Sequence, residues 1–253
     1  MTMRILLARH GETPWNAEGR YQGQEDIPLS PVGIAQARAL GEKLREVSIT
    51  RAVASPLTRA RHTAELALGE RDLPLTLDPG LMEIAHGTWE GLLASEIRER
   101  DGERLRAWRE TPHEVLMPEG ESLQHVFDRA WPAFARAAEG LGEDDTLLVV
   151  AHDAVNRVLL CHVLGIPLAR LWSFRQAPTS ITSKSCGSTT AAITRRCLAR
   201  RCIGRCSGIS MAVAVEASKA STEPWMAGRK RSLSPSGRGA DSSVRGPAAQ
   251  PVG

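Results

Sequence analysis

Near the start of the chain, the apolar run Ile5-Leu6-Leu7-Ala8 gives way to Arg9-His10-Gly11-Glu12-Thr13. An arginine beside a histidine brings a bidentate phosphate fork and a nitrogen nucleophile together. A second apolar run, Thr146 to Ala151, ends in His152-Asp153. Between the two lie Arg59, in Ser55-Pro56-Leu57-Thr58-Arg59-Ala60-Arg61-His62, and Glu83, in a glycine-punctuated stretch that continues through His86-Gly87-Thr88-Trp89-Glu90-Gly91. These residue types suit attack on a phosphate ester, neutralisation of its charge and protonation of its leaving oxygen. Each motif alone reads equally well as a basic loop with an incidental histidine. The same arrangement, a strand end followed by a histidine, occurs twice, and that favours the chemical reading.

Such groups need a scaffold that gathers strand ends. The runs Ile5–Ala8 and Thr146–Ala151 are short and continuously apolar, as buried strands are. Ligands of open α/β sheets bind beyond the C-terminal ends of such strands. Arg51 to Ala54 predicts a further short strand. After it, Ser55 fits a helix N-cap and Pro56 the first helical position, which places Arg59 in the electropositive first turn. Ser30-Pro31 opens a helix with Ile34, Ala37, Leu40 and Leu44 at helical spacing. Residues 95–110 predict a charged helix. Glu121-Ser122 precede a helix with Val126, Phe127, Ala130, Phe134 and Ala138 on its apolar side. Ala154 to Leu164, closed by Gly165 and Pro167, follows the second histidine. This alternation predicts an α/β fold: a mostly parallel central sheet flanked by helices on both faces.

Arg9-His10-Gly11-Glu12-Thr13, followed by Trp15-Asn16, Gly19-Arg20 and Gln22-Gly23, resembles the opening of the histidine phosphatase superfamily, the phosphoglycerate mutase-like fold. Ser55-Pro56-Leu57-x-Arg59-Ala60, Glu83 with Gly87-x-Trp89-Glu90-Gly91, Pro118-x-Gly120-Glu121-Ser122 and Val150-Ala151-His152 follow in the family's order. The resemblance covers residues 3–181 and implies phosphoryl transfer through a phosphohistidine on His10. It implies that Arg9, Arg59, His152 and Asn16 hold the phosphate, that Gln22 and Gly23 line the rim, and that Glu83 is general acid and then base. For the first of those roles the Glu83 carboxyl must titrate above its usual range.

Within the family, mutases resemble one another in a longer insertion ahead of the Pro-x-Gly-Glu segment. Here only 26 residues separate Gly91 from Pro118. That favours a phosphatase of the small, broad or alpha-ribazole type, acting on a small-molecule phosphate ester. The alternatives are a mutase-type isomerase on the same site and a non-catalytic phosphate-binding or interaction module. Many members place two glycines after the second histidine, whereas this chain has Asp153-Ala154. A carboxylate there could discourage highly anionic substrates or orient His152. No metal or other cofactor is called for, because two arginines and two histidines already supply the charge. Glu143-Asp144-Asp145 reads as solvated charge. His62, His86, His113, His125 and His162 read as packing or surface residues, though His86 is close enough to Glu83 to touch substrate. Trp89 reads as a plug under the Glu83 loop, and Cys161 as a buried, inert thiol.

Composition divides the 253 residues. Residues 1–181 hold 20 Lys+Arg against 26 Asp+Glu, a net −6, and residues 182–253 hold 12 against 3, a net +9. The first part reads as the catalytic domain. The second, rich in Ser, Gly, Ala and Arg, cannot bury enough apolar surface to fold and is expected to be a disordered tail. Its Arg-, Cys- and Ser-rich text also resembles a GC-rich gene read out of frame. A zinc site from Cys186, Cys197, Cys202 and Cys206 is the competing reading, held the weaker one although Cys197–Cys202 is a close pair. With Trp225 alone interleaved among the tail's basic residues, nucleic acid is not expected as a partner. No run is long enough to span a membrane, and the N-terminus enters the first strand directly, so a cytoplasmic protein is expected. The oligomeric state stays open, a homodimer among the options.

Overall fold

The computed structural model describes residues 3–173 and two short strand backbones, Ala191–Ile193 and Ile209–Ala212. Six strands form one sheet: β1 (Met3–Arg9), β2 (Arg51–Ala54), β3 (Leu75–Leu77), β4 (Thr146–Ala151), β5 (Ala191–Ile193) and β6 (Ile209–Ala212). Their order is β3-β2-β4-β1-β6-β5, parallel throughout except for the β5–β6 pair. The two apolar runs are therefore central neighbours. Their register sets Arg9 opposite Ala151, so His10 and His152 leave adjacent strands at the same end of the sheet. The His10 amide continues the ladder by one more bond, to the Ala151 carbonyl at 3.1 Å.

Side-chain alternation explains the two covered faces. From β1, Leu6 and Ala8 join Leu148 and Val150 in one core; Met3 and Ile5 join Leu147, Val149 and Ala151 in the other. The first core is closed by α2 (Pro31–Leu44) and α3 (Thr58–Leu68), through Leu40, Leu44, Ala60 and Ala64. The second is closed by α5 (Leu123–Ala138) and α6 (Asp153–Leu164), through Val126, Ala130, Phe134, Val155 and Leu159. Short α1 (Pro14–Glu18) follows β1, and α4 (Ala94–Glu110), the charged helix, is broken by non-helical backbone at Asp101. The expected mostly parallel sheet with helices on both faces is thus observed.

Two local details differ from the sequence reading. Strand β3 was not anticipated: three residues at the sheet edge, with Thr76 and Leu77 exposed, carry too little apolar pattern to stand out. The helix expected from Ser55-Pro56 begins later, at Thr58, after an N-cap, Leu57, that has no side-chain cap bond. Asp26, from a distant loop, accepts from the Thr58 amide and hydroxyl instead. The boundary expected after Ile181 lies outside the described residues. So do the four tail cysteines and, apart from β5 and β6, the expected tail disorder. No helix among the described residues is long and apolar enough to cross a membrane.

Candidate active site

His10 is buried at the end of β1. Its Nδ1 lies 2.7 Å from the Gly11 carbonyl oxygen, which can only accept. Nδ1 therefore carries the proton, and the neutral ring keeps its free lone pair on Nε2. Burial, with Arg59 and Arg9 close by, holds the ring well below the usual histidine range, so this neutral form persists at pH 7. The Gly11 amide is fixed in turn by a 2.9 Å bond to the Thr63 hydroxyl on α3.

His152 leaves β4 as the N-cap of α6 and faces His10, the ring centroids 5.1 Å apart. Its Nε2 is 2.8 Å from the Ser55 hydroxyl, and its Nδ1 is buried without a partner. Burial, then the charge of Arg59, keeps it neutral as well. The Ser55 hydroxyl also accepts from the Leu57 amide at 3.3 Å, the bond expected of a cap before Pro56, although the helix itself starts only at Thr58. The same hydroxyl orients a histidine 97 residues away.

Arg59 is fully buried in the first turn of α3. It donates to the carbonyls of Glu25 and Gly23, both at 2.7 Å. Burial lowers it to about 10, which leaves it a cation at neutral pH. Gly23 has to be glycine: its φ is +54°, and a Cβ there would stand 1.8 Å from a Glu90 carboxylate oxygen. Gln22 accepts from the Thr13 hydroxyl at 2.9 Å. Thr13 and Asn16 form the capping box of α1, using the Asn16 oxygen and leaving its amide NH2 outside that box.

Glu83 is buried, each carboxylate oxygen accepting one backbone N–H: Ile84 at 3.0 Å and Asp153 at 3.1 Å. Burial, then the Asp153 charge, raises its carboxyl above the usual range, against the pull of Arg59 and Arg9. This is the direction that the expected general-acid role requires. Its loop is clamped by Arg129 on α5, which donates to the carbonyls of Gly80, Met82 and Glu83 and pairs bidentately with Glu121. Asp153 does not orient His152. Its carboxylate lies 3.4 Å from Arg9 and binds Arg157, one turn along α6, at 2.8 and 3.1 Å.

The structure thus brings Arg9, His10, Arg59, Glu83 and His152 to one end of the sheet, with Gln22 and Gly23 in the loop that anchors Arg59. Arg129 and Arg157 are neighbours of the site that the sequence reading did not single out, and it read Ser55 only as a cap and motif residue. Only Arg157 had a readable signal, four residues after Asp153 on a predicted helix. Trp89 is buried, its indole donating to Asp101, as a plug would be. Cys161 is buried, and its thiol is pushed up to about 11.

Known proteins resemble this chain in sequence and fold. The chain is 36% identical over 172 residues to phosphoserine phosphatase 1 of Hydrogenobacter thermophilus, covering 68% of this chain and 81% of that one. It is 37% identical over 173 residues to the adenosylcobalamin/alpha-ribazole phosphatase of Salmonella typhimurium, covering 68% and 85%. Among solved structures it resembles the mycobacterial glucosyl-3-phosphoglycerate phosphatase complexed with VO3, with a TM-score of 0.64, 32% identity and coverage of 69% and 88%. The profile of the Histidine phosphatase superfamily (branch 1) matches residues 5–235. This chain belongs to that superfamily, and it is a phosphatase.

Proposed function

We propose that the chain hydrolyses a small-molecule phosphomonoester in two steps on His10. In the first, the Nε2 lone pair forms the N–P bond as the ester P–O bond breaks, and the Glu83 carboxylic acid gives its proton to the leaving alkoxide. In the second, the Glu83 carboxylate takes a proton from water. The water oxygen bonds to phosphorus, the P–N bond breaks, and phosphate leaves with His10 neutral again. Arg9 and Arg59 stabilise the equatorial oxygens in a site shielded from water, where such charges act strongly. His152 Nδ1 and the Asn16 amide supply further donors, and Gln22 and Gly23 shape the rim.

The observation that carries this reading is geometric: His10, its Nε2 lone pair defined by the Nδ1 contact to Gly11, and the buried Glu83 carboxyl, held by the Asp153 amide, stand at the same end of the sheet. Burial lowers the His10 ring and raises the Glu83 carboxyl, the directions that this chemistry needs. Hydrolysis is favoured over isomerisation because the stretch between Gly91 and Pro118 is taken up by α4 and one 3-10 turn, Pro112–Glu114. The test is phosphate release from a panel of phosphomonoesters, p-nitrophenyl phosphate included, with EDTA present. Given 3-phosphoglycerate and 2,3-bisphosphoglycerate, the enzyme should release phosphate faster than it forms 2-phosphoglycerate. Efficient interconversion without phosphate release overturns the reading in favour of a mutase.

A further inference from the structure

The hydrogen bonds of one guanidinium converge on the loop that carries Glu83. Arg129 on α5 donates from Nε and Nη2 to the two Glu121 carboxylate oxygens, at 2.7 and 2.8 Å. Its Nη1 donates to the Gly80 and Met82 carbonyls at 2.9 and 2.6 Å, and Nη2 also to the Glu83 carbonyl at 2.8 Å. An arginine has five N–H groups, and every one is used here. Glu121 grips the other side of the acid. Its Oε2 accepts from the Ala85 amide at 2.9 Å, and its own amide donates to the Ala85 carbonyl at 2.9 Å. Burial pushes the Glu121 carboxyl up, but the bonds from Arg129 and the Ala85 amide outweigh it and hold the group below the usual range. The pair stays charged at neutral pH.

Holding the loop against the helix does not need this pair. Leu81 and Ile84 already share a core with Val126, Ala130 and Phe134 of α5. Gly80 lies so close to the helix that a Cβ would stand 2.6 Å from the Arg129 carbonyl oxygen. A partly buried ion pair adds little stability beyond such packing, whereas a planar fork fixes direction. What needs direction is the Glu83 carboxyl, which reaches from this loop to the Asp153 amide at the start of α6, 3.1 Å away. Its other oxygen accepts from the neighbouring Ile84 amide. Both bonds are to backbone, so the carboxyl sits wherever its loop and α6 are held. The Glu83 carbonyl also accepts from Gln24 Nε2 at 3.0 Å, and Gln24 follows Gly23, whose carbonyl anchors Arg59. The clamp therefore registers the acid against the phosphate site.

We propose that Arg129 and Glu121 are the positioning pair for the general acid, holding Glu83 where its proton reaches the leaving oxygen without touching substrate themselves. The inference rests on the phosphatase reading and adds two residues to it. Loosening the pair should hurt the step that needs the proton. An alkoxide departs only as it is protonated, whereas a nitrophenolate needs little help. Phosphate binding rests on Arg9, Arg59 and His152, which stand on other elements, and should be spared.

The test compares 2-phenylethyl phosphate with p-nitrophenyl phosphate by kcat/KM, which reads the phosphorylation step. Arg129→Lys keeps the charge without the fork, and Glu121→Gln keeps the shape without the charge. Each should slow the alkyl ester about tenfold or more, toward the roughly 10²-fold cost of a 1 Å misplacement, and slow p-nitrophenyl phosphate far less. Competitive inhibition by inorganic phosphate should match that of the unaltered enzyme. In a Glu83→Gln background either change should cost the alkyl ester almost nothing more, because residues that act as one unit are not additive. Equal losses on both esters overturn the inference. So does a folded variant with no loss, or a full further loss in the Glu83→Gln background. Urea unfolding checks that each variant is folded, and should Arg129→Lys not fold, Glu121→Gln decides alone. Failure of the unaltered enzyme to hydrolyse either ester would sink the phosphatase reading, and this inference with it.

Discussion

Asp153→Asn should tighten phosphate binding and shift the pH profile in the same protein. The Asp153 carboxylate is 3.4 Å from Arg9, and the two side chains are 21% and 19% exposed. At that separation a bare pair of charges is worth about 5 kcal/mol at an effective dielectric of about 20, and about 1 kcal/mol in bulk water. Arg157 shares the same carboxylate and both partners are partly solvated, so the lower figure applies. Freeing Arg9 from that competition should gain about 1 kcal/mol for a bound phosphate, about fivefold in affinity. Asparagine keeps the shape but loses a negative charge at the first position of α6, which costs about 0.3–1 kcal/mol of stability. The Asp153 charge also helps to hold Glu83 protonated. Removing it lowers the Glu83 carboxyl, and the alkaline limb of the kcat/KM profile moves to lower pH. Competitive inhibition of p-nitrophenyl phosphate hydrolysis by inorganic phosphate reads the first effect, and the pH profile reads the second. An unchanged or weaker phosphate inhibition constant would refute the competition for Arg9. An alkaline limb that stays or moves upward would refute the coupling to Glu83.

Glu83→Gln should slow hydrolysis of alkyl phosphates about 10²–10⁴-fold, and slow the phosphorylation step with p-nitrophenyl phosphate, a better leaving group, much less. Equal losses in burst kinetics would mean that Glu83 only positions the site. Gly23→Ala should destabilise the fold by about 1–3 kcal/mol, since alanine is forced to positive φ against Glu90. It should also weaken phosphate binding by disturbing the Arg59 anchor; urea unfolding and inhibition constants check both. Three histidines, His10, His86 and His152, are buried and titrate below their ordinary value of 6.5. As pH falls through 6.5 the unfolded chain takes up protons first, so each removes up to about 1.4 kcal/mol of stability per pH unit. Glu83, raised in the fold, acts in the opposite sense but is one group against three. Urea titrations should therefore show stability falling from pH 7 to 5.5, and a level or rising trend would contradict neutral burial of the histidines.

The parts of this site that the sequence exposed are those tied to regular elements. Continuous apolar runs marked β1 and β4, and a histidine at each strand end could be paired because parallel neighbours end on the same side of a sheet. Arg59 was legible as a first-turn residue even though the turn starts at Thr58 and not at Pro56. What stayed hidden depends on contacts far apart in sequence. Ser55 looks like a cap in any local window and does accept from the Leu57 amide; only the approach of His152 shows that the same hydroxyl also meets a histidine. Arg129 reads as one more charge on an amphipathic helix. Its three backbone carbonyl partners exist only once α5 lies against the Glu83 loop. Asp153 stood out as a departure from the family pattern; its bond to Arg157 lies within α6, but its pairing with Arg9 depends on α6 standing beside the end of β1.

Phosphorylation of His10 tests the central claim most directly. The enzyme is mixed with excess p-nitrophenyl phosphate, quenched in alkali within the first turnovers, digested and mapped by mass spectrometry. An alkali-stable, acid-labile phosphoryl group on the peptide carrying His10, absent together with turnover in His10→Ala, is the predicted result. Substantial turnover surviving in His10→Ala, or a phosphoryl group on another residue, would contradict the account.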